Sequence, residues 1–150
     1  MTIWVDADAC PKPIKEILYR VAGRREMSVV FVANQGLSLP PSKWLRSVQV
    51  PAGFDIADHY IVQHIEPGDI VVTADIPLAA EIVTAGASAI NPRGTLYNEQ
   101  TVRQALSMRN FFSELRESQP RLGGPAPFTQ KDRQAFANTL DRILAASGNY

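Results

Sequence analysis

The sequence predicts an α/β protein with a mainly parallel, five-stranded sheet. Short apolar runs alternate along the chain with longer segments whose apolar residues recur at helical spacing. The short runs are almost wholly apolar, which is typical of parallel strands that are buried on both faces. We therefore expect helices to cover both faces of the sheet.

Five apolar runs predict the strands. They are residues 2–5 (TIWV), 27–33, 47–50, 70–73 and 87–90. Each is short, and the runs are rich in valine, isoleucine and other β-prone residues. Segments rich in Gly, Pro, Asn and Asp separate several of them, at residues 34–42, 66–69 and 91–94.

The segments between the strands predict three helices. The first begins near Pro11 and Pro13, which a first helical turn tolerates, and it ends at Gly23. The second spans residues 53–65. The third follows a capping Asp75 and ends at Gly86.

The end of the chain predicts two more helices, over residues 98–117 and from a Thr129 cap to residue 146. Residues 119–128 between them contain too much Pro and Gly for regular structure. We expect a single domain over residues 1–150, with a core over about 1–95 and a C-terminal helical appendage over about 96–150.

Composition favours a soluble cytoplasmic protein. The net charge is zero, and the apolar runs are far shorter than the ~20 residues that span a bilayer, so we expect no membrane association. Cys10 is the only cysteine, which excludes an internal disulfide and favours a reducing compartment. The start of the chain lacks the pattern of a secretory signal. Charge is uneven, because residues 51–100 carry one Arg against seven acids.

Aspartates cluster where strands end. Asp6 and Asp8 follow the first strand, and Asp75 follows the fourth by two residues. Asp55 and Asp58 lie near the start of the helix that precedes the fourth strand. Ligands of such folds bind beyond the carboxyl ends of the strands, so these side chains are expected to converge there.

Convergent carboxylates repel one another unless a cation relieves them, and Mg²⁺ or Mn²⁺ accepts such oxygens. We therefore predict Asp6, Asp8, Asp58 and Asp75 as metal ligands, with Asp55 as an additional one and with Asp6 and Asp75 as catalytic. The alternative is that Asp8, Asp55 and Asp75 only begin or cap helices. Asp6 caps nothing obvious.

Three cations lie near predicted strand ends, namely Lys12, Lys43 and Arg93. Each is a candidate contact for substrate phosphate, and solvation is the alternative for each.

Five ordered motifs carry a resemblance over essentially the whole chain: VDADACPKPIK, GFDIADHYIV, GDIVVTADIPLA, INPRG and GGPAPF. Together they resemble the YaiI/YqxD family of uncharacterised bacterial proteins, which is related to the PIN-domain nucleases. The resemblance implies a three-layer α/β/α fold and an acidic, Mg²⁺- or Mn²⁺-dependent nuclease site that acts on RNA. Asp6 matches the aspartate that ends the first strand of PIN domains, and Asp58 ahead of Thr73–Asp75 matches their later acidic positions. The acidic residue on their middle helix has no clear counterpart here.

Two alternatives remain open on the same residues. A non-catalytic module of PIN-like fold would bind metal or RNA without turnover. A haloacid-dehalogenase-type phosphatase would use Asp6 as nucleophile and Asp8 as general acid, since the first strand and its two aspartates also resemble the first motif of those enzymes. In that family a Gly-Asp pair follows its strand, whereas here Asp69 precedes residues 70–73 and is predicted to be a turn residue.

Overall fold

The secondary structure comes from a computed structural model that describes residues 1–53, 55–118 and 127–146. Its strands are β1 (Thr2–Asp6), β2 (Ser28–Ala33), β3 (Leu45–Gln49), β4 (Ile70–Val72), β5 (Ser88–Ile90) and β6 (Leu96–Tyr97). Its α-helices are α1 (Lys12–Arg25), α2 (Ile56–His64), α3 (Ile76–Thr84), α4 (Glu99–Ser118) and α5 (Gln130–Ala146). None of these helices, over the described residues, is long and apolar enough to cross a membrane.

The strands form one sheet in the order β3-β2-β1-β4-β5-β6. The first five are parallel to their neighbours and β6 is antiparallel to β5, which confirms the predicted α/β class with a mainly parallel sheet. The predicted count of five strands is wrong. A two-residue strand is too short to show an apolar pattern, and β6 pairs with β5 through a turn in which the Asn91 side chain accepts hydrogen bonds from the N–H groups of Arg93 and Thr95.

Helices cover both faces of the sheet, as the predicted three-layer fold requires. On one face, α1 and α5 pack against β1, β2 and β4, and Ile14, Phe31 and Phe136 are fully buried there. On the other face lie α2, α3 and the start of α4, with Ile61 and Ile82 in the second apolar cluster. The two C-terminal helices therefore lie on opposite faces, α5 beside α1 and α4 beside α3.

Most element boundaries agree with the sequence to within two residues, but two helices differ. The helix α2 begins at Ile56, three residues after its predicted start at residue 53. The helix α1 does not stop at Gly23 but continues to Arg25, and the following Glu26 takes a left-handed conformation with φ of 50°. The α5 cap is as predicted, since Thr129 Oγ1 accepts the N–H of Asp132 while the Asp132 carboxylate accepts the N–H of Thr129. The predicted irregular linker over residues 119–128 lies outside the described residues except for its last two.

The strand order creates a crevice at one edge of the sheet. From β1 the chain moves outward through β2 and β3, and it then returns to place β4 on the other side of β1. The connections after β1 and β4 therefore leave on opposite faces, which opens a space between the carboxyl ends of these two strands. Asp6 ends β1 at this edge.

Candidate metal centre

A threonine links the ends of β1 and β4. Val5 pairs with Val72, so Asp6 and Thr73 come side by side where the two strands end. The buried Thr73 hydroxyl donates a hydrogen bond to Asp6 Oδ2 at 3.0 Å and accepts the backbone N–H of Asp75 at 3.0 Å. The Thr73 hydroxyl thus orients both the Asp6 carboxylate and the backbone of Asp75, just before α3.

Three further carboxylates, those of Asp55, Asp58 and Asp75, lie close together near Thr73 and Asp6. Asp55 precedes α2 in a left-handed conformation with φ of 61°, and Asp58 lies in the first turn of that helix. Asp75 caps α3, accepting the N–H of Leu78 at 2.8 Å. One carboxylate oxygen from each of Asp55, Asp58 and Asp75 lies within 4.8 Å of the other two.

Burial, together with the repulsion between neighbouring carboxylates, raises the pKa values of Asp58 and Asp6. Burial, followed by the charges of Asp75, Asp6 and Asp55, raises the pKa of Asp58 to about 7. Burial also raises the pKa of Asp6, aided by the charges of Asp75 and Asp8 and opposed by the Thr73 hydrogen bond. Without a cation, Asp58 therefore retains a proton that ordinary aspartates lose well below neutral pH.

The donor set suits a hard divalent cation. Carboxylate oxygens are the ligands that Mg²⁺ and Mn²⁺ take, and with Mg–O bonds of about 2.1 Å two ligands of one ion lie at most about 4.2 Å apart. The oxygens of Asp55, Asp58 and Asp75 lie within 4.8 Å of one another, so their separations exceed this limit by less than 1 Å at most. The residues therefore fit the group.

The structure separates Asp8 from these three aspartates. Asp8 lies in the 3₁₀ turn Ala7–Ala9 and is exposed, and its Oδ2 accepts the backbone N–H of Asn34 at 2.8 Å. The charge of Asp8 contributes to the raised pKa of Asp6. Asp8 does not belong to the group of aspartates whose oxygens lie within 4.8 Å of one another. Asp8 therefore ties the end of β1 to the end of β2, and its part as a metal ligand stays a prediction.

The three candidate phosphate contacts lie in different places. Lys12 is exposed at the start of α1, at the carboxyl edge. Arg93 is also at this edge, but it donates to Asp132 Oδ2 at 2.8 Å and to the carbonyl of Pro127, so it anchors the start of α5.

Lys43 does not reach the site, because it lies before β3. That strand begins level with the amino end of β1, and the Lys43 Nζ is 4.9 Å from the centre of the Trp44 ring. Lys43 therefore lies at the edge of the sheet opposite Asp6, and its contact with phosphate stays a prediction.

Asp69 corrects another expectation. Far from being only a turn residue, it is buried and accepts hydrogen bonds from the N–H of Thr2, the Trp4 indole and the N–H of Glu66, at 3.0 to 3.1 Å. It lies beside the start of β1, at the edge opposite Asp6. It cannot join Asp6 in a phosphatase site, which removes the later acidic motif that the phosphatase alternative requires.

Thr73 is the site residue whose contribution the sequence did not reveal. The signal in the sequence was the position of Thr73. It is the first polar residue after the apolar strand β4, and it lies two residues before the capping Asp75. Asp55, predicted only as an additional ligand, belongs to the group of three aspartates whose oxygens lie within 4.8 Å of one another. The part taken by each aspartate in binding a metal remains a prediction.

Fold and site together define an α/β protein with an acidic cluster at the point where its strand order reverses. The chain belongs to the family described as "Uncharacterized BCR, YaiI/YqxD family", whose pattern matches residues 4–146. It is 59% identical over 145 residues to a UPF0178 protein of Cronobacter sakazakii (strain ATCC BAA-894), covering 97% of this chain and 96% of that protein. UPF0178 proteins of Hahella chejuensis (strain KCTC 2396) and Marinomonas sp. (strain MWYL1) are 57% and 55% identical, each with 97% of both chains covered. No solved structure matches the chain significantly.

Proposed function

We propose that this protein hydrolyses phosphodiester bonds in single-stranded RNA with the help of Mg²⁺ or Mn²⁺. The observation that carries the proposal is the convergence of Asp55, Asp58 and Asp75 within 4.8 Å, near the half-buried Asp6. Such a cluster suits a divalent cation, and among the described residues no salt bridge joins Asp55, Asp58 or Asp75 to a cationic side chain.

Each aspartate has a distinct part in the proposal. Asp55, Asp58 and Asp75 hold the cation. Asp6 adds a further negative charge near it, and the Thr73 hydroxyl fixes the orientation of the Asp6 carboxylate. Asp58 gives up a proton when the site is loaded, because its pKa is about 7. A bound cation of this kind supplies activation of a water molecule and stabilisation of the leaving oxygen.

RNA is proposed as the substrate on the resemblance of Asp6, Asp58 and Asp75 to the acidic positions of PIN-domain nucleases. The net charge of zero argues against tight, unspecific binding of duplexes, which depends on many phosphate contacts. We therefore expect weak binding that moderate salt relieves. The cytoplasm is the proposed location, in keeping with a single, unpaired Cys10.

The test is cleavage of a labelled single-stranded oligoribonucleotide with Mn²⁺, beside Mn²⁺ titration calorimetry. Asp6→Asn keeps an oxygen for the Thr73 hydroxyl but removes a charge, so it should weaken Mn²⁺ binding and abolish cleavage while the fold persists. Glu81→Gln is the matched control, since Glu81 is exposed on α3 and outside the cluster.

Equal cleavage by wild type and Asp6→Asn would refute the site. Metal binding without cleavage by the wild type would support the non-catalytic binding module instead. Turnover of a phosphomonoester through a trapped aspartyl phosphate at Asp6 would support the phosphatase.

A further inference from the structure

A groove between α1 and α5 gathers positive charge away from the acidic cluster. It encloses a cavity of about 250 Å³. Arg20 and Arg24 of α1 and Arg133 of α5 line it, with Asp141 as the one acid in its lining. The net charge of the lining is therefore +2, in a chain whose overall charge is zero.

The arginines of the groove are only partly neutralised. Arg24 and Arg25 share the single carboxylate of Asp141, at 3.8 and 3.4 Å, and the Arg24 side chain is 65% exposed. Within the described residues, the side chains of Arg20 and Arg133 have no ion pair or hydrogen bond to a protein group. Two guanidinium groups in one groove thus keep their full capacity for an anion.

The floor of the groove is apolar. Ile17 and Val21 contribute to it from α1, and Ala137 and Leu140 from α5. A ligand that combines anionic groups with flat apolar ones fits such a surface, because guanidinium groups form paired hydrogen bonds with phosphate and also stack on planar rings. Single-stranded nucleic acid has this combination, with phosphates on one side and unpaired bases on the other.

The groove lies between helices on one face of the sheet, whereas Asp55, Asp58 and Asp75 belong to α2 and α3 on the other face. The helix α1 begins at Lys12, at the carboxyl edge of the sheet that carries Asp6. Arg20 lies eight residues further along, about 12 Å at 1.5 Å per residue, and Arg24 about 6 Å beyond it. Exposed Lys12 therefore places a positive charge at the edge of the sheet that carries Asp6, at the other end of α1 from Arg24.

We propose that the α1–α5 groove binds the phosphate backbone of single-stranded RNA outside the bond that is cleaved. The proposal rests on the proposed function, which it deepens by assigning the surface that holds the substrate. Arg20 and Arg133 are its principal contacts, and Lys12 guides the strand toward the edge of the sheet that carries Asp6.

The experiment compares two double variants of the full chain that remove the same charge. Arg20→Gln/Arg133→Gln alters the groove, and Arg46→Gln/Arg103→Gln removes two exposed arginines of β3 and α4 as the control. Binding of a fluorescent single-stranded oligoribonucleotide is measured by anisotropy in EDTA over a series of salt concentrations. Because EDTA removes the divalent cations, the binding measurement does not depend on cleavage of the RNA. Melting temperatures establish that both variants are folded.

We expect the groove variant to bind RNA at least about tenfold more weakly than wild type, since each charge-assisted hydrogen bond contributes as much as a tenfold step. Its plot of log affinity against log salt should be shallower by about 1.4, or 0.7 for each lost phosphate contact of a single strand. The control variant should change much less, and Mn²⁺ binding should be equal in all three proteins.

Equal losses in the two variants, or no RNA binding by the wild type, would overturn the groove proposal. Binding of an acidic peptide through Arg20 and Arg133 in preference to RNA would also overturn it, in favour of a protein partner. Failure of the nuclease proposal looks different: RNA binding would still depend on the groove, but neither wild type nor variant would cleave.

Discussion

Replacing Asp58 with asparagine should stabilise the metal-free protein at pH 8 and remove much of its dependence on pH. In the unfolded chain the carboxyl titrates near its ordinary pKa of 3.8, and in the folded protein near 7. Between these values the folded state binds more protons, so the free energy of unfolding falls as pH rises. The contribution of protonated Asp58 is complete below about pH 4 and is lost as pH rises through about 7.

The structure sets the size of this effect. The difference between 3.8 and about 7 corresponds to a ceiling of about 4 kcal/mol, at 1.36 kcal/mol for each pKa unit. Asp58 is only partly buried, and water screens its neighbours, so we expect about 1–2 kcal/mol. Asparagine imitates the protonated acid, since its amide can donate a hydrogen bond to Asp55 as the protonated carboxyl does.

Urea unfolding in EDTA at pH 5 and pH 8 measures the effect, with the exposed Glu81→Gln as control. Asp58→Asn should exceed wild type in free energy of unfolding by about 1–2 kcal/mol at pH 8 and by much less at pH 5. With Mn²⁺ the order should reverse, because wild type gains stability from the ion and the variant does not. A variant that is destabilised equally at both pH values would show that the Asp58 carboxylate is structural, and the argument from repulsion would fail.

Two further predictions concern stability. Asp69→Ala leaves three N–H donors, including the buried Trp4 indole, without their acceptor, so it should lower the free energy of unfolding in urea by about 3 kcal/mol or more. Asp69→Asn should cost less, because one oxygen remains. Equal stability of Asp69→Ala and wild type would contradict the network. Gly94→Ala should loosen α5, because Gly94 has φ of 95° and an added Cβ would lie 2.6 Å from the carbonyl carbon of Ala135. We expect a loss of about 2 kcal/mol or more and faster hydrogen exchange in α5, whereas Gly36→Ala, which meets only the end of a side chain at 3.6 Å, should change neither.

Local patterns in the sequence were sufficient for most of the secondary structure. The apolar runs gave four strands directly, because a strand buried on both faces needs apolar residues at every position. The caps at Asp75 and Thr129 were predictable for a similar reason, since a cap satisfies backbone groups within three residues. The alternation of strands and helices then implied the α/β class.

The candidate site was only partly predictable. Asp6 and Asp75 follow apolar runs, so their place at one edge of a parallel sheet followed from the direction of the strands. Their closeness required β1 and β4 to be neighbours, and that pairing joins residues 67 positions apart. No pattern within either segment determines which strands pair.

The same limit applies to Lys43, Asp69 and Arg93. Lys43 and Asp69 each lie next to a strand, as Asp6 does, but they lie at the beginning of it and therefore at the other edge of the sheet. Arg93 is at the correct edge, yet Asp132 of α5 takes up its charge. The sequence by itself determined which residues form strands, helices and caps, because those depend on neighbours in the chain. Only the tertiary structure decided which carboxylates share a site and which cations are already paired, because these depend on strand order and on contacts between distant segments.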